Sequence, residues 1–248
     1  MKRLLSTMCL DARLQVRNGL YHAATFVALA FVMLLKQFPQ LDLSRLWPAI
    51  ILENLVINSY YFVAGLVLLE KGEGTLEAQV ITPLRSAEYL VSKVATLTAL
   101  ALIETLLLVV LVHGPRFNWL ALIVGIVLMV AIYTLYGFVV VSRYDSLNEF
   151  LLPSALWTMG FSLPLIRYFG LSQSWLLYLH PLQAPLVLMQ AAFEPTDLWR
   201  ILYGLLYGTV WIGAVFWLCQ RAFYRFVISK EGTRWDEDDR RVQGAGAH

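Results

Sequence analysis

The chain has 248 residues, 59% of them hydrophobic, and a mean hydropathy of +0.65. Only 15% are Asp, Glu, Lys or Arg, against about 25% in a soluble domain, too few to clothe a globular fold in charge. Composition therefore excludes a soluble enzyme, a nucleic-acid-binding protein and a disordered chain, and leaves an all-α, multi-spanning membrane protein with lipid as its main solvent.

Taken in chain order, residues 1–19 read as an interfacial helix. Leu4, Leu5, Met8 and Ala12 can line one face, with Arg3, Arg13 and Arg17 near lipid head groups. These early charges, with Lys2 and Asp11, interrupt any apolar run and argue against a cleavable signal. Six candidate spans follow, at 20–35, 48–69, 94–112, 119–141, 150–166 and 201–219, each approaching the roughly 20 residues that cross a hydrocarbon core. The fifth carries Pro153 and Pro164 and is expected to bend. A further apolar stretch, 175–193, holds His180, Pro181 and Pro185, and its two prolines disfavour a continuous crossing. It reads as a short broken helix at, or dipping into, the outer face.

Charge sets the topology. Six spans with both termini cytoplasmic place 14 of the 19 basic residues inside, leaving Lys36, Arg45, Arg116, Arg167 and Arg200 outside. A seventh span would carry the six C-terminal basic residues outward, against the positive-inside rule. The expected architecture is one transmembrane domain: the interfacial helix at 1–19, a six-span bundle over 20–222 and a solvated cytoplasmic tail at 223–248. Cys9 and Cys219 are too few for a disulfide framework.

The largest internal cytoplasmic stretch, 70–93, reads EKGEGTLEAQVITPLRSAEYLVSK. Gly72 and Gly74 end the second span. Thr75 can cap a short helix through Val80, with Glu77 near its positive dipole end. Thr82-Pro83 stops that helix, and Ser86 can cap the helix that becomes span three, with Lys93 at the interface. The result is a short amphipathic helix parallel to the membrane, or else simply a long structured loop.

The run Glu73-Gly74-Thr75-Leu76-Glu77, followed by Thr82-Pro83-Leu84-Arg85 and then Lys93, resembles the coupling-helix region of ABC-2 type permeases, the membrane subunits of one class of ATP-binding-cassette exporters. Ser92-Lys93 stands where the family commonly has Gly-Lys. The resemblance covers the whole chain. The opening Asp11-Ala12-Arg13-Leu14-Gln15-Val16-Arg17-Asn18 and the outer His180-Pro181-Leu182-Gln183-Ala184-Pro185 look most like the fluoroquinolone export permease branch. It implies a bacterial inner (cytoplasmic) membrane, a second permease half, identical or related, and two copies of a separate cassette ATPase that bind ATP and magnesium. It also implies that the short helix docks in a cleft of that ATPase. Glu73 and Glu77 would then offer carboxylates, Leu76 and Val80 an apolar ridge, and Gly74, Thr75, Thr82, Pro83 and Arg85 the turns around them. The chain has no G-x-x-x-x-G-K-[ST] run to cradle phosphates, so no cofactor is expected on it.

Within the spans, Glu53, Asn54 and Asn58 fall in the outer part of the second and Glu104 past the middle of the third. Acids in hydrocarbon face protein, water or each other. Glu53, Asn58 and Glu104 are therefore candidates for a substrate pathway, with hydrogen-bonded packing as the alternative. Gly204 and Gly208 form a G-x-x-x-G that permits close helix approach within one subunit or at a dimer seam. Trp47, Trp119, Tyr144, Trp175, Tyr178 and Trp199 suit an interfacial belt, while Tyr133, Tyr136, Trp157 and Trp211 lie deeper, as packing or as stacking surfaces. An intramembrane hydrolase is disfavoured because His22, His113, His180 and His248 show no metal spacing and no residue is expected to be catalytic. An ion-coupled carrier would show an inverted repeat, and none is visible.

Overall fold

In hydrocarbon a backbone must satisfy its own polar groups, which favours helices. The computed structural model describes residues 2–37, 45–75 and 86–223, and among them all regular structure is helical. Helix α1 (Lys2–Arg17) meets α2 (Leu20–Lys36) at a bend of 61°. Gly19, at φ +75°, makes that turn, in a region where a Cβ is penalised. The second span is continuous from Trp47 to Gly72 but changes pitch on the way: α3 (Trp47–Leu55), a π-helical segment (Val56–Tyr61), then α4 (Phe62–Gly72). Gly74, at φ +67°, takes the chain out of α4, as the glycine punctuation there predicts.

The third span, α5 (Ser86–Val112), is about 40 Å long at 1.5 Å per residue. The fourth, α6 (Trp119–Val141), starts where the Asn118 side chain accepts from the Ala121 N–H at 3.2 Å. The fifth comprises α7 (Leu147–Phe161) and α8 (Leu163–Tyr168). Of its two prolines, Pro153 is carried inside α7, and the interruption falls at Ser162, just before Pro164. After a 3₁₀ turn (Trp175–Leu179) comes α9 (Gln183–Phe193), then the last span α10 (Leu198–Phe223). Among the described residues five helices are long and apolar enough to cross a membrane, and there are six if the bent α1–α2 pair counts as one span.

The centre of the bundle is α6, which packs against α5, α9, α10 and the second span. The outer stretch does more than lie on the surface. At 11 residues, α9 is about 16 Å long and cannot span, yet it is buried along most of its length between α6 and α10. Glycines make room for it. A Cβ at Gly204 would stand 2.6 Å from Leu188 and 3.0 Å from the Ala184 carbonyl, and one at Gly125 2.8 Å from Met189. At Gly208 it would stand 3.0 Å from Leu128. The G-x-x-x-G of the last span is therefore a packing device within the subunit.

Two sequence expectations change. Trp47, at the start of the second span, packs into protein rather than facing head groups: it is fully buried and stacked on Phe193 at 6.2 Å. The inward face of α1 is polar: Asp11 and Gln15 are buried while Leu5, Leu10 and Val16 are exposed, and Leu4, Met8 and Ala12 are half-buried. Lipid accepts a leucine as readily as the bundle does, so apolarity alone does not choose the inward face. The tail beyond Phe223 lies outside the described residues.

Candidate functional site

Polar side chains gather in two clusters on α5. The first joins three elements near the root of the 73–85 segment. The Lys93 ammonium lies between two carboxylates, 2.6 Å from Asp11 Oδ1 of α1 and hydrogen-bonded to Glu70 Oε1 at the end of α4. The three side chains are only 1%, 3% and 4% exposed respectively. Buried charge is tolerated only when paired and fully hydrogen-bonded, and the remaining acceptors are met: Tyr89 donates to Glu70 Oε2 at 2.6 Å and Ser92 donates to Asp11 Oδ2. One turn further on, Gln15 Nε2 donates to Thr96 Oγ1 at 2.8 Å. Asp11 and Gln15 on α1 thus meet Ser92 and Thr96 on α5, each pair at i, i+4 on one helix face.

Around this cluster, Lys71 Nζ donates to the carbonyls of Ser142 at 2.9 Å and Tyr144 at 2.7 Å, which ties α4 to the turn after α6. The Thr75 hydroxyl donates back to the Glu70 carbonyl at 3.1 Å. Glu73 pairs with Arg17 of α1 at 3.5 Å, both well exposed, so the pair contributes little to stability. Leu76, Glu77, Val80, Thr82, Pro83 and Arg85 lie outside the described residues.

The second cluster is Glu104. Its Oε2 accepts from Asn54 Nδ2 and Asn58 Nδ2, both at 2.8 Å, and from the Thr105 hydroxyl at 3.3 Å. Three of the polar residues singled out in the sequence therefore come together. Glu53 does not join them. It points to the other side of α3 and accepts from the Ser162 hydroxyl at 2.7 Å, where the fifth span breaks. The deeper aromatics form a packed group: Tyr133 and Tyr60 each lie 5.1 Å from Phe161, with Tyr133 fully buried and Trp157 exposed to 42%.

Helical phase explains why both clusters face the same way. Lys93 and Glu104 are eleven residues apart, which at about 100° per residue returns to within about 20° of the same face, about 16 Å along the axis. On the second span Asn58 and Glu70 are twelve apart, which in an unbroken α-helix would leave them about 120° out of phase. The π segment (Val56–Tyr61), within which Asn58 falls, turns less per residue than an α-helix and so reduces that offset. The sequence reading missed this cluster. Asp11 read as a charge of the interfacial helix, Glu70 as the start of the cytoplasmic stretch and Lys93 as an interfacial charge, and the one signal available was the matched i, i+4 polar pairs on α1 and α5.

The profile of the Fluoroquinolones export permease protein family matches residues 2–231. Two proteins of Mycobacterium tuberculosis, from strains CDC 1551 / Oshkosh and ATCC 25618 / H37Rv, are each named a fluoroquinolones export permease protein. Each is 32% identical to this chain over 235 residues, covering 94% of this chain and 99% of its own length.

Proposed function

We propose, since this chain belongs to the Fluoroquinolones export permease protein family, that it is the membrane half of an exporter powered by a separate cassette ATPase. It is a multi-pass membrane export permease; the proposal concerns its drive, its partners and its cargo. Two ATPase subunits bind ATP and magnesium and act on two permease halves, identical or related, in a bacterial inner membrane. The cargo is a small amphipathic molecule, a fluoroquinolone being the class named for the relatives.

The observation that carries this reading is the buried Asp11–Lys93–Glu70 cluster. Glu70 ends the span before the 73–85 segment and Lys93 opens the span after it. Asp11 adds the interfacial helix. A partner that pushes on Glu73, Gly74, Thr75, Leu76, Glu77, Val80, Thr82, Pro83 and Arg85 therefore moves α1, α4 and α5 as one unit. Because Lys93 and Glu104 share a face of α5, that displacement reaches Glu104 and Asn58 in the membrane. Glu53, Asn58 and Glu104 are assigned to the substrate path.

The test is co-purification with a cassette ATPase, which the neighbouring reading frame is expected to encode. Glu77→Lys, or deletion of 75–80, is expected to abolish both the complex and export. A complex that survives those changes with normal export overturns the coupling role.

A further inference from the structure

Between α2 and α5 lies a cavity of about 130 Å³. Its walls are mostly apolar, with Ala24 and Ala28 of α2 facing Leu100 and Ile103 of α5, and Glu104 lines it too. All three donors to Glu104 act on Oε2. Its Oε1 is buried with no hydrogen-bond partner among the described residues, in a side chain only 5% exposed. No basic residue pairs with it among the described residues. A carboxyl oxygen left unmatched in an apolar wall is costly, and the cost falls when a donor arrives.

The dimensions select the donor. A cavity of about 150 Å³ accommodates a benzene ring, so this one takes a ring or a short alkyl branch. Water needs two to four polar partners in such a place, and the apolar walls supply few. Leu29 and Ile103 on the rim are 49% and 67% exposed, which leaves a ligand a way in from the outside of the bundle. Glu104 lies about 16 Å along α5 from Lys93 and about 12 Å from the other end of the helix at Val112.

We propose that this cavity binds an apolar molecule bearing a protonated amine, the apolar body between α2 and α5 and the ammonium donating to Glu104 Oε1. The site rests on the reading of Glu104 as part of the substrate path, and it names the cargo class: hydrophobic amines.

The test uses the permease–ATPase complex in nanodiscs of phosphatidylcholine and phosphatidylglycerol, without ATP. A diazirine-bearing benzylamine and its neutral N-acetyl derivative are photo-crosslinked, and the adducts are mapped by mass spectrometry. The amine is expected to label α2 and α5 around Leu29 and Ile103 at least about tenfold more than the neutral probe, a preference of about 1.4 kcal/mol. Glu104→Gln is expected to bring the two probes to parity. Ala28→Phe fills the cavity without touching the Glu104 hydrogen bonds and is expected to remove labelling by both. Equal labelling of the wild-type complex, as a lipid chain in the groove would give, overturns the amine site, as does a preference that survives Glu104→Gln. Export is measured separately. Amine labelling combined with undiminished export by the Glu104→Gln complex keeps the site and overturns the pathway reading. Equal labelling combined with lost export does the reverse.

Discussion

Lys93 is the residue whose removal discriminates best between a matched buried cluster and incidental contacts. One ammonium serves two carboxylates, Asp11 and Glu70, each under 5% exposed in its side chain. Lys93→Met keeps an unbranched chain of similar length and leaves both carboxylates buried without a cation. Removing one partner of a buried pair costs about 3–5 kcal/mol. Asp11→Asn behaves differently. It leaves one ammonium facing one carboxylate, the amide oxygen still accepts from Lys93, and the Ser92 hydroxyl keeps a partner, so the cost is about 1 kcal/mol. For a chain of this size about 3–5 kcal/mol corresponds to about 6–20 °C in Tm. The double variant Lys93→Met/Asp11→Asn is expected to recover part of the loss, because only Glu70 is then left unpaired. The assay is thermal unfolding in one detergent, read by tryptophan fluorescence at a fixed scan rate, since unfolding of this kind is compared through rates as much as equilibria. If Lys93→Met unfolds within about 2 °C of Asp11→Asn, less than the shift for 1 kcal/mol, the cluster is not the tie described above.

Two further outcomes follow from single contacts. Burial pushes the His180 imidazole down to about 4, against a stabilising bond to the Gly160 backbone, and its Nδ1 accepts from Leu182 N–H at 3.3 Å. The neutral ring is thus the folded form. Its contribution is complete above the ordinary histidine value near 6.5 and is lost as pH falls from there through about 4, so the wild-type Tm is expected to drop more between pH 7 and 5 than that of His180→Gln. Parallel melts at the two pH values check this. At Gly137 a Cβ would stand 2.5 Å from Val63 Cγ1 and 2.9 Å from the Tyr60 carbonyl, whereas at Gly213 it would meet nothing within 4 Å. Gly137→Ala is expected to cost about 1–3 kcal/mol and Gly213→Ala to be neutral or to gain about 0.5–1 kcal/mol, a difference that the same fluorescence melts resolve.

The spans were legible because a nearly uncharged apolar run of about 20 residues matches the thickness of a bilayer and little else. The break between the 3₁₀ turn and α9 was legible from His180, Pro181 and Pro185. The assignment of facing sides was less so. On α1 Leu5 and Leu10 turned outward and Asp11 inward, because in a bilayer apolar residues no longer mark the core. The polar cluster of Asp11, Glu70 and Lys93 was hidden by separation: Lys93 is 82 positions from one partner and 23 from the other. Near span ends, charges suit the interface as well as they suit each other. Asn54, Asn58 and Glu104 were easier to find, because acids and amides in mid-membrane must find partners. The Val-Ile-Asn-Ser-Tyr-Tyr run at 56–61 carries no sequence mark of its π pitch.

That pitch yields the strongest test of how the two clusters are connected. Ile57 is half-buried and lies within the π segment. Deleting it lets the second span close as a continuous α-helix, turning everything after it by about 100° relative to α3 and drawing it in by about 1.5 Å. Asn54 can then face Glu104, or Glu70 can face Lys93, but not both. The deletion is therefore expected to lower Tm by an amount like that of Lys93→Met and to abolish export even where folded protein is recovered. Ile57→Ala is the control, since it trims the same side chain and keeps the register, and its effect is expected to stay small at a half-buried position. If the deletion proves no worse than Ile57→Ala in either stability or export, the two clusters do not depend on the π turn. Motion at the 73–85 segment would then have no fixed route along the second span to Asn58 and Glu104.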